Sequence, residues 1–332
     1  MTLLVTGAMG HVGHAVAAHA ARAGLDVVAQ YRETFDSARA AALGPRVRWE
    51  HCALDDAAAL AGLLSRHGVD RCIHCAAISN EAYARPQPFA AIQANVGATA
   101  ALLDAARAQG WARFILVSTG SVFQLRADLV SPILEDEPPT PGNIYATTKR
   151  AAEMLVGMYR REFALSAASV RISWVYGPPV LTDSPTRGPI PSFLMRALRG
   201  EAVREDGGDF AASFTYVEDV AEGLLRAALA PDLRHDTYHF GHGRNFTARE
   251  AAAAVQAAVP GAVISLGGGT EPWTRYTGLR GPLAGNRFLA DIGYAPRHSL
   301  AEGIAAYADW MRSLRRGACP PRAPAPGGGT PR

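Results

Sequence analysis

The chain has 332 residues, 48% of them apolar and 19% charged, with a formal net charge of +3. The apolar fraction is ample for a buried core and excludes a wholly disordered chain. Its basic residues are scattered, so no nucleic-acid face is read, and four cysteines in a chain this long do not make a disulfide scaffold.

Leu3-Leu4-Val5 is a short apolar run that enters Thr6-Gly7-Ala8-Met9-Gly10-His11-Val12-Gly13, and an Ala-rich helical stretch follows as far as Gly24. Strands are then expected at Val27–Ala29, Val47–Trp49, Arg71–His74, Arg113–Val117 and Ala168–Ile172. Between them fall helical patterns at about 57–66, 89–108 and 145–163. This alternation predicts an α/β fold with a doubly wound parallel sheet. After about Val175, Gly and Pro punctuate shorter elements, as expected of a smaller irregular part placed over the carboxyl ends of the strands. The expected organisation is a dinucleotide-binding unit over 1–174 and a mainly substrate-binding region over 175–316, with 214–240 returning to the sheet. A disordered Pro/Gly tail is expected over 317–332. No apolar stretch is read as approaching the roughly 18 residues that span a bilayer, and no leader is seen. A soluble, cytoplasmic protein with no membrane partner is expected.

Gly7-x-x-Gly10-x-x-Gly13 lies between a predicted strand and a predicted helix. Glycines there let the backbone approach a pyrophosphate, and the helix N-terminus supplies free N–H groups and a favourable dipole. The end of the second strand reads Gln30-Tyr31-Arg32, without the carboxylate that usually grips the adenosine ribose. Arg32 could instead pair with a 2′-phosphate, so NADP is favoured and NAD remains possible.

The chain contains one lysine, Lys149, among 33 Lys plus Arg. It follows Tyr145 by four residues on a predicted helix, which puts amine and phenol on one face. A nearby ammonium favours the phenolate, moving a general base toward working pH.

With these residues in view, the chain resembles the extended short-chain dehydrogenase/reductases, and within them the NAD-dependent epimerase/dehydratases. The resemblance rests on Thr6-Gly7-x-x-Gly10-x-x-Gly13, Tyr145-x-x-x-Lys149, Asn95-Val96-x-x-Thr99, Arg171-x-x-x-Val175-Tyr176-Gly177-Pro178 and Phe214-x-Tyr216-Val217-x-Asp219. It spans about residues 2–314 and implies a Rossmann fold. It implies that Tyr145 exchanges the substrate hydroxyl proton, that Lys149 holds the nicotinamide ribose and lowers the tyrosine pKa, that Thr119 supplies a hydroxyl beside the reacting oxygen, and that Asn95 supports the lysine. Met9, His11, Val12, Arg32, Leu54, Cys75, Ala76, Ala77 and Ser173 join the three glycines on the cofactor side. Ser121, Trp174 and Arg280 join Thr119 and Tyr145 on the substrate side. The resemblance also implies a homodimer through the helices at 89–108 and 145–163.

Three departures from that family bear on substrate. Ala53 stands where the family has a carboxylate near the adenine, so base recognition is expected from the Leu54 backbone. Ala212-Ser213 replaces an Arg-Asp pair whose arginine holds the substrate diphosphate, and Trp174 replaces an asparagine. Arg187, Arg275, Arg280 and Arg287 remain available for an anion. Gly120-Ser121 follows Thr119 where the 4,6-dehydratases carry Asp-Glu, which disfavours dehydration. The expected function is a sugar-nucleotide epimerase or reductase. A dehydrogenase of a free sugar acid or polyol is the alternative, and a non-catalytic NADP sensor is a third reading. Cys72-Ile73-His74-Cys75 is read as structural, because residues three apart on a strand face opposite ways. No metal site is read from His235, His239 and His242.

Overall fold

A computed structural model describes residues 1–315; the tail expected at 317–332 lies outside the described residues. Strands β1 (Thr2–Thr6), β2 (Asp26–Tyr31), β3 (Val47–His51), β4 (Arg71–His74), β5 (Arg113–Thr119) and β6 (Ala167–Ile172) join the edge strand Thr237–His239 in one sheet. The spatial order is Thr237–His239, β6, β5, β4, β1, β2, β3, and every pairing is parallel. Helices cover both faces, so the central strands are continuous apolar runs, with Leu3, Leu4 and Val5 all buried. This is the Rossmann-type doubly wound sheet expected from the alternating pattern.

Helix α1 (His11–Arg22) and the helix Val217–Leu229 pack together on one face, while the helices Ala57–His67, Ala98–Gln109 and Ile144–Phe163 cover the other. Strand order reverses between β1 and β4, and crevices at the carboxyl ends of such strands are where this architecture binds ligands. Over that end lie the helices Pro189–Leu198, Ala248–Ala258 and Leu300–Arg315 with three two-stranded sheets.

Two expectations change here. The stretch Pro88–Gln109 is long and apolar enough, by length and mean hydropathy, to cross a membrane. Alanines interleaved with leucines produce that value, and its inner face (Ala98, Leu102, Leu103 and Ala106) is packed into the core under the sheet. The same stretch is not one regular helix: residues Gln93–Gly97 form a π-turn that carries Asn95.

Candidate active site

A cleft of about 500 Å³ opens at the switch point between β1 and β4. Gly7, Met9, Gly10, His11, Val12 and Gly13 line one end of it. Gly7 has φ +63°, and a Cβ there would lie 2.8 Å from the Ala76 nitrogen. A Cβ on Gly13 would overlap the Gly7 carbonyl oxygen. These contacts, more than flexibility, require glycine: they bring the loop and α1 against the segment after β4. Gly10 caps α1 with no side-chain hydrogen bond, so the helix N-terminus stays open for an anion. Behind the loop, Gln30 is buried and its Oε1 accepts the Gly7 N–H at 2.9 Å. His11 is held neutral, its pKa pushed down to about 3 by burial and by the Arg187 charge.

At the end of β2, Tyr31, Arg32 and Glu33 line the cleft, with Arg32 pairing Glu33 at 2.6 Å. Arg39, which the sequence reading missed, reaches back from the short helix Ser37–Ala42 to donate to the Met9 carbonyl at 3.2 Å. Cys75, Ala76 and Ala77 form the opposite wall, and burial pushes the Cys75 thiol up to about 12. Cys72 instead lies in the core under the sheet, so the two sulfurs diverge. Among the described residues no three His, Cys, Asp or Glu side chains form a metal-holding group.

The deep end holds Thr119, Ser121, Tyr145 and Lys149. Asn143 caps the helix Ile144–Phe163 by accepting the Ala146 N–H at 2.9 Å, and Glu81 accepts the Tyr145 N–H at 3.0 Å. Together they fix the turn that presents the phenol. Thr119 faces the Tyr145 phenol, and its side chain favours the ionised form against the effect of burial. One turn on, Lys149 is only 2% exposed, and burial lowers its pKa to about 8 against the pull of Glu153 and Cys75. Ser118 does not enter this chemistry: its hydroxyl donates to Glu153 at 2.6 Å, inside a buried pair that Glu153 makes with Arg171 at 2.8 Å.

Several sequence-derived placements need correcting. Burial holds the Tyr145 pKa above its ordinary value, opposed by the Thr119 side chain and by the charges of Arg280 and Arg187. Asn95 does not line the cleft, and its side chain engages the Ile78 backbone at 2.8 and 3.2 Å and Thr148 Oγ1 at 2.9 Å. It braces the loop after β4 against the helix of Tyr145, so any support for Lys149 passes through that helix. The Leu54 side chain is packed in the core with Leu60 and Leu63, and Leu54 is not among the residues that line the cleft, which leaves only its backbone for the expected base contact. Ser173 faces a small side pocket with Ala212, Ser213 and Asn245, because Trp174 (φ +40°) turns the chain between that pocket and the cleft.

Of the four candidate anion-binding arginines, Arg187 and Arg280 line the cleft. Arg275 stacks over Tyr276 and Arg287 pairs with Asp136 at 3.7 Å. Glu81 was not anticipated, because a capping carboxylate 64 residues away in sequence has no local signature.

Residues 3–241 match the sequence model of the NAD dependent epimerase/dehydratase family. The chain is 30% identical to the UDP-glucose 4-epimerase of Mycolicibacterium smegmatis, over 76% of this chain and 80% of that protein. Its backbone is similar to that of the Thermotoga maritima UDP-glucose 4-epimerase with UDP-glucose, with a TM-score of 0.83, 24% identity and coverage of 95% and 100%. It is also similar to DesIV, a dTDP-glucose 4,6-dehydratase of Streptomyces venezuelae with NAD bound (TM-score 0.80, 26% identity, coverage 96% and 99%).

Proposed function

Because the chain belongs to the NAD-dependent epimerase/dehydratase family, whose members are enzymes, we propose that it catalyses redox chemistry at a secondary hydroxyl of a nucleotide sugar, as an epimerase or reductase. The observation that carries this reading is the meeting of Thr119, Tyr145 and Lys149 in the cleft that the glycine loop opens. The loop fits a dinucleotide, since its glycines leave no room for a Cβ and the N-terminus of α1 is uncapped. Gly7, Gly10 and Gly13 would hold the pyrophosphate and Lys149 the nicotinamide ribose. When bound, a nicotinamide supplies reversible hydride exchange with a substrate carbon.

Tyr145 takes the proton from the substrate hydroxyl at Oη and returns it on reduction. Thr119, which lines the cleft beside that phenol, orients the hydroxyl. Arg280 and Arg187 favour the phenolate, and bound substrate excludes water from the deep end. No Asp-Glu pair follows Thr119, so proton removal from a neighbouring carbon and loss of water have no side chains to serve them there. Dehydration is therefore set aside, although relatives such as DesIV are dehydratases.

NADP is preferred over NAD in this reading, because Arg32 stands at the end of β2 with no carboxylate but its own partner Glu33. Exposed Phe89, Ile92 and Met154 on the helices of 88–109 and 144–163 support a homodimer through that face. The test is to incubate the protein with UDP-, dTDP- and GDP-hexoses, separating sugar products while following absorbance at 340 nm. An epimer formed without net absorbance change, or a reduced product with it, supports the proposal; loss of water from the sugar, or no product with any nucleotide, refutes it. A dehydrogenase of free sugar acids is the second reading, favoured by the Ala212-Ser213 replacement and read out by the same assay with unactivated acids.

A further inference from the structure

Arg280 is 7% exposed and lines the deep end of the cleft. Its Nη1 donates to Thr277 Oγ1 and to the Gly278 carbonyl, each at 3.2 Å. Its Nε is buried with no partner, and no carboxylate acts on it among the described residues. A guanidinium so placed is costly, because a buried charge without a counter-ion forfeits its hydration with nothing in return. Elsewhere in this chain a buried arginine is neutralised, as Arg171 is by Glu153 at 2.8 Å. Arg113 is also buried without a carboxylate partner, but it does not line the cleft; Arg280 does, and there its charge is available to a ligand.

Position decides which part of the ligand it meets. A Cβ on Gly120 would lie 3.3 Å from Arg280 Nε, so the guanidinium rests against the residue that follows Thr119. Its charge is felt by the Tyr145 phenol. Arg280 and Tyr145 line the same cleft, with Arg280 against the residue next to Thr119, so an anion on Arg280 lies on the side of the hydroxyl that Tyr145 deprotonates. In a hexuronate, the carboxylate is borne by the carbon adjoining C4, whereas a diphosphate hangs from C1 across the ring. Arg187, also in the cleft and in no ion pair, is left for the diphosphate.

We propose that Arg280 is a specificity-determining residue that binds a sugar carboxylate, so that the substrate is an acidic, uronate-type sugar. The proposal rests on the redox reading above. A planar guanidinium that lines the cleft suits a carboxylate as a charge-assisted donor. A neutral hydroxymethyl group would leave that charge without a counter-ion.

The experiment measures dissociation constants of cofactor-loaded protein for UDP, UDP-glucose, UDP-glucuronate and free glucuronate, for wild type, Arg280→Gln and Arg280→Lys. Thermal unfolding and cofactor affinity establish that each variant is folded. The expected result is that UDP-glucuronate binds at least ~10-fold more tightly than UDP-glucose to wild type, as one charge-assisted pair implies. Arg280→Gln should abolish that ratio, Arg280→Lys should keep part of it, and UDP should bind all three alike. Equal affinity of wild type for the two sugars overturns the proposal. So does a loss of UDP affinity in Arg280→Gln matching that of UDP-glucuronate, which would assign Arg280 to the diphosphate. If UDP and both UDP-sugars fail to bind, the uridine form of the nucleotide-sugar reading falls by itself. Arg280-dependent binding of free glucuronate would then still support the carboxylate site, and its absence would overturn that too.

Discussion

Glu81 Oε2 accepts the backbone N–H of Tyr145 at 3.0 Å, tying the segment that follows β4 to the first turn of the helix that carries the phenol. Alongside the brace that Asn95 makes between Ile78 and Thr148, one wall of the cleft and the turn that presents Tyr145 are thus joined by this carboxylate. Tyr145 depends on it because the first N–H groups of a helix have no partner within the helix.

Replacing Glu81 by Ala should therefore lower kcat by about 10-fold and stability by about 2 kcal/mol, the scale of a hydrogen bond to a charged acceptor. Glu81→Gln keeps an acceptor oxygen and should recover most of the rate. Steady-state kinetics with urea unfolding of both variants separates the two effects.

Gly13→Ala forces a methyl group onto the Gly7 carbonyl and must displace α1. We expect a stability loss of about 1–3 kcal/mol, as in other overpacked sites. Dinucleotide affinity should fall by at least ~10-fold, measured by titration of the purified variant. Gly24→Ala, where no atom lies within 4 Å of the new Cβ but φ is +84°, should lose stability without losing affinity.

Lys149 carries a pH signature. Its folded pKa of about 8 lies below the ordinary lysine value, so between the two the unfolded chain binds more protons than the native one. Stability then rises with pH across that window. Below pH 8 both states are protonated and the whole burial penalty is present. Relative to Lys149→Met, the wild type should gain up to about 3 kcal/mol on going from pH 8 to 10.5, at 1.36 kcal/mol per unit. Parallel unfolding curves for the two proteins check this, and a flat difference would place the amine in a less buried setting.

The sheet was legible in sequence because its strands are buried on both faces and therefore read as short apolar runs between helical periods. The glycine loop and the Tyr145–Lys149 spacing were legible because they act within one turn or one loop. What escaped was long-range. Asn95 has the residue type of a lysine support, but the π-turn aims it at Ile78 and Thr148. Leu54 and Ser173 follow the packing of their own neighbourhoods away from the cleft. Sequence spacing pairs Lys149 with Tyr145, but it does not report that the fold also brings Arg187 and Arg280 to the phenol, both from more than 40 residues C-terminal to it. Burial, which spacing cannot report, then decides the direction of the Tyr145 shift.

The central claim is that Tyr145 moves the substrate proton, and Tyr145→Phe tests it most directly. The phenyl ring keeps the packing and removes only the hydroxyl. The account predicts that turnover falls by at least ~100-fold, the lower range of general acid–base catalysis, while dinucleotide affinity stays within about 3-fold of wild type. Turnover unchanged in that variant would contradict it.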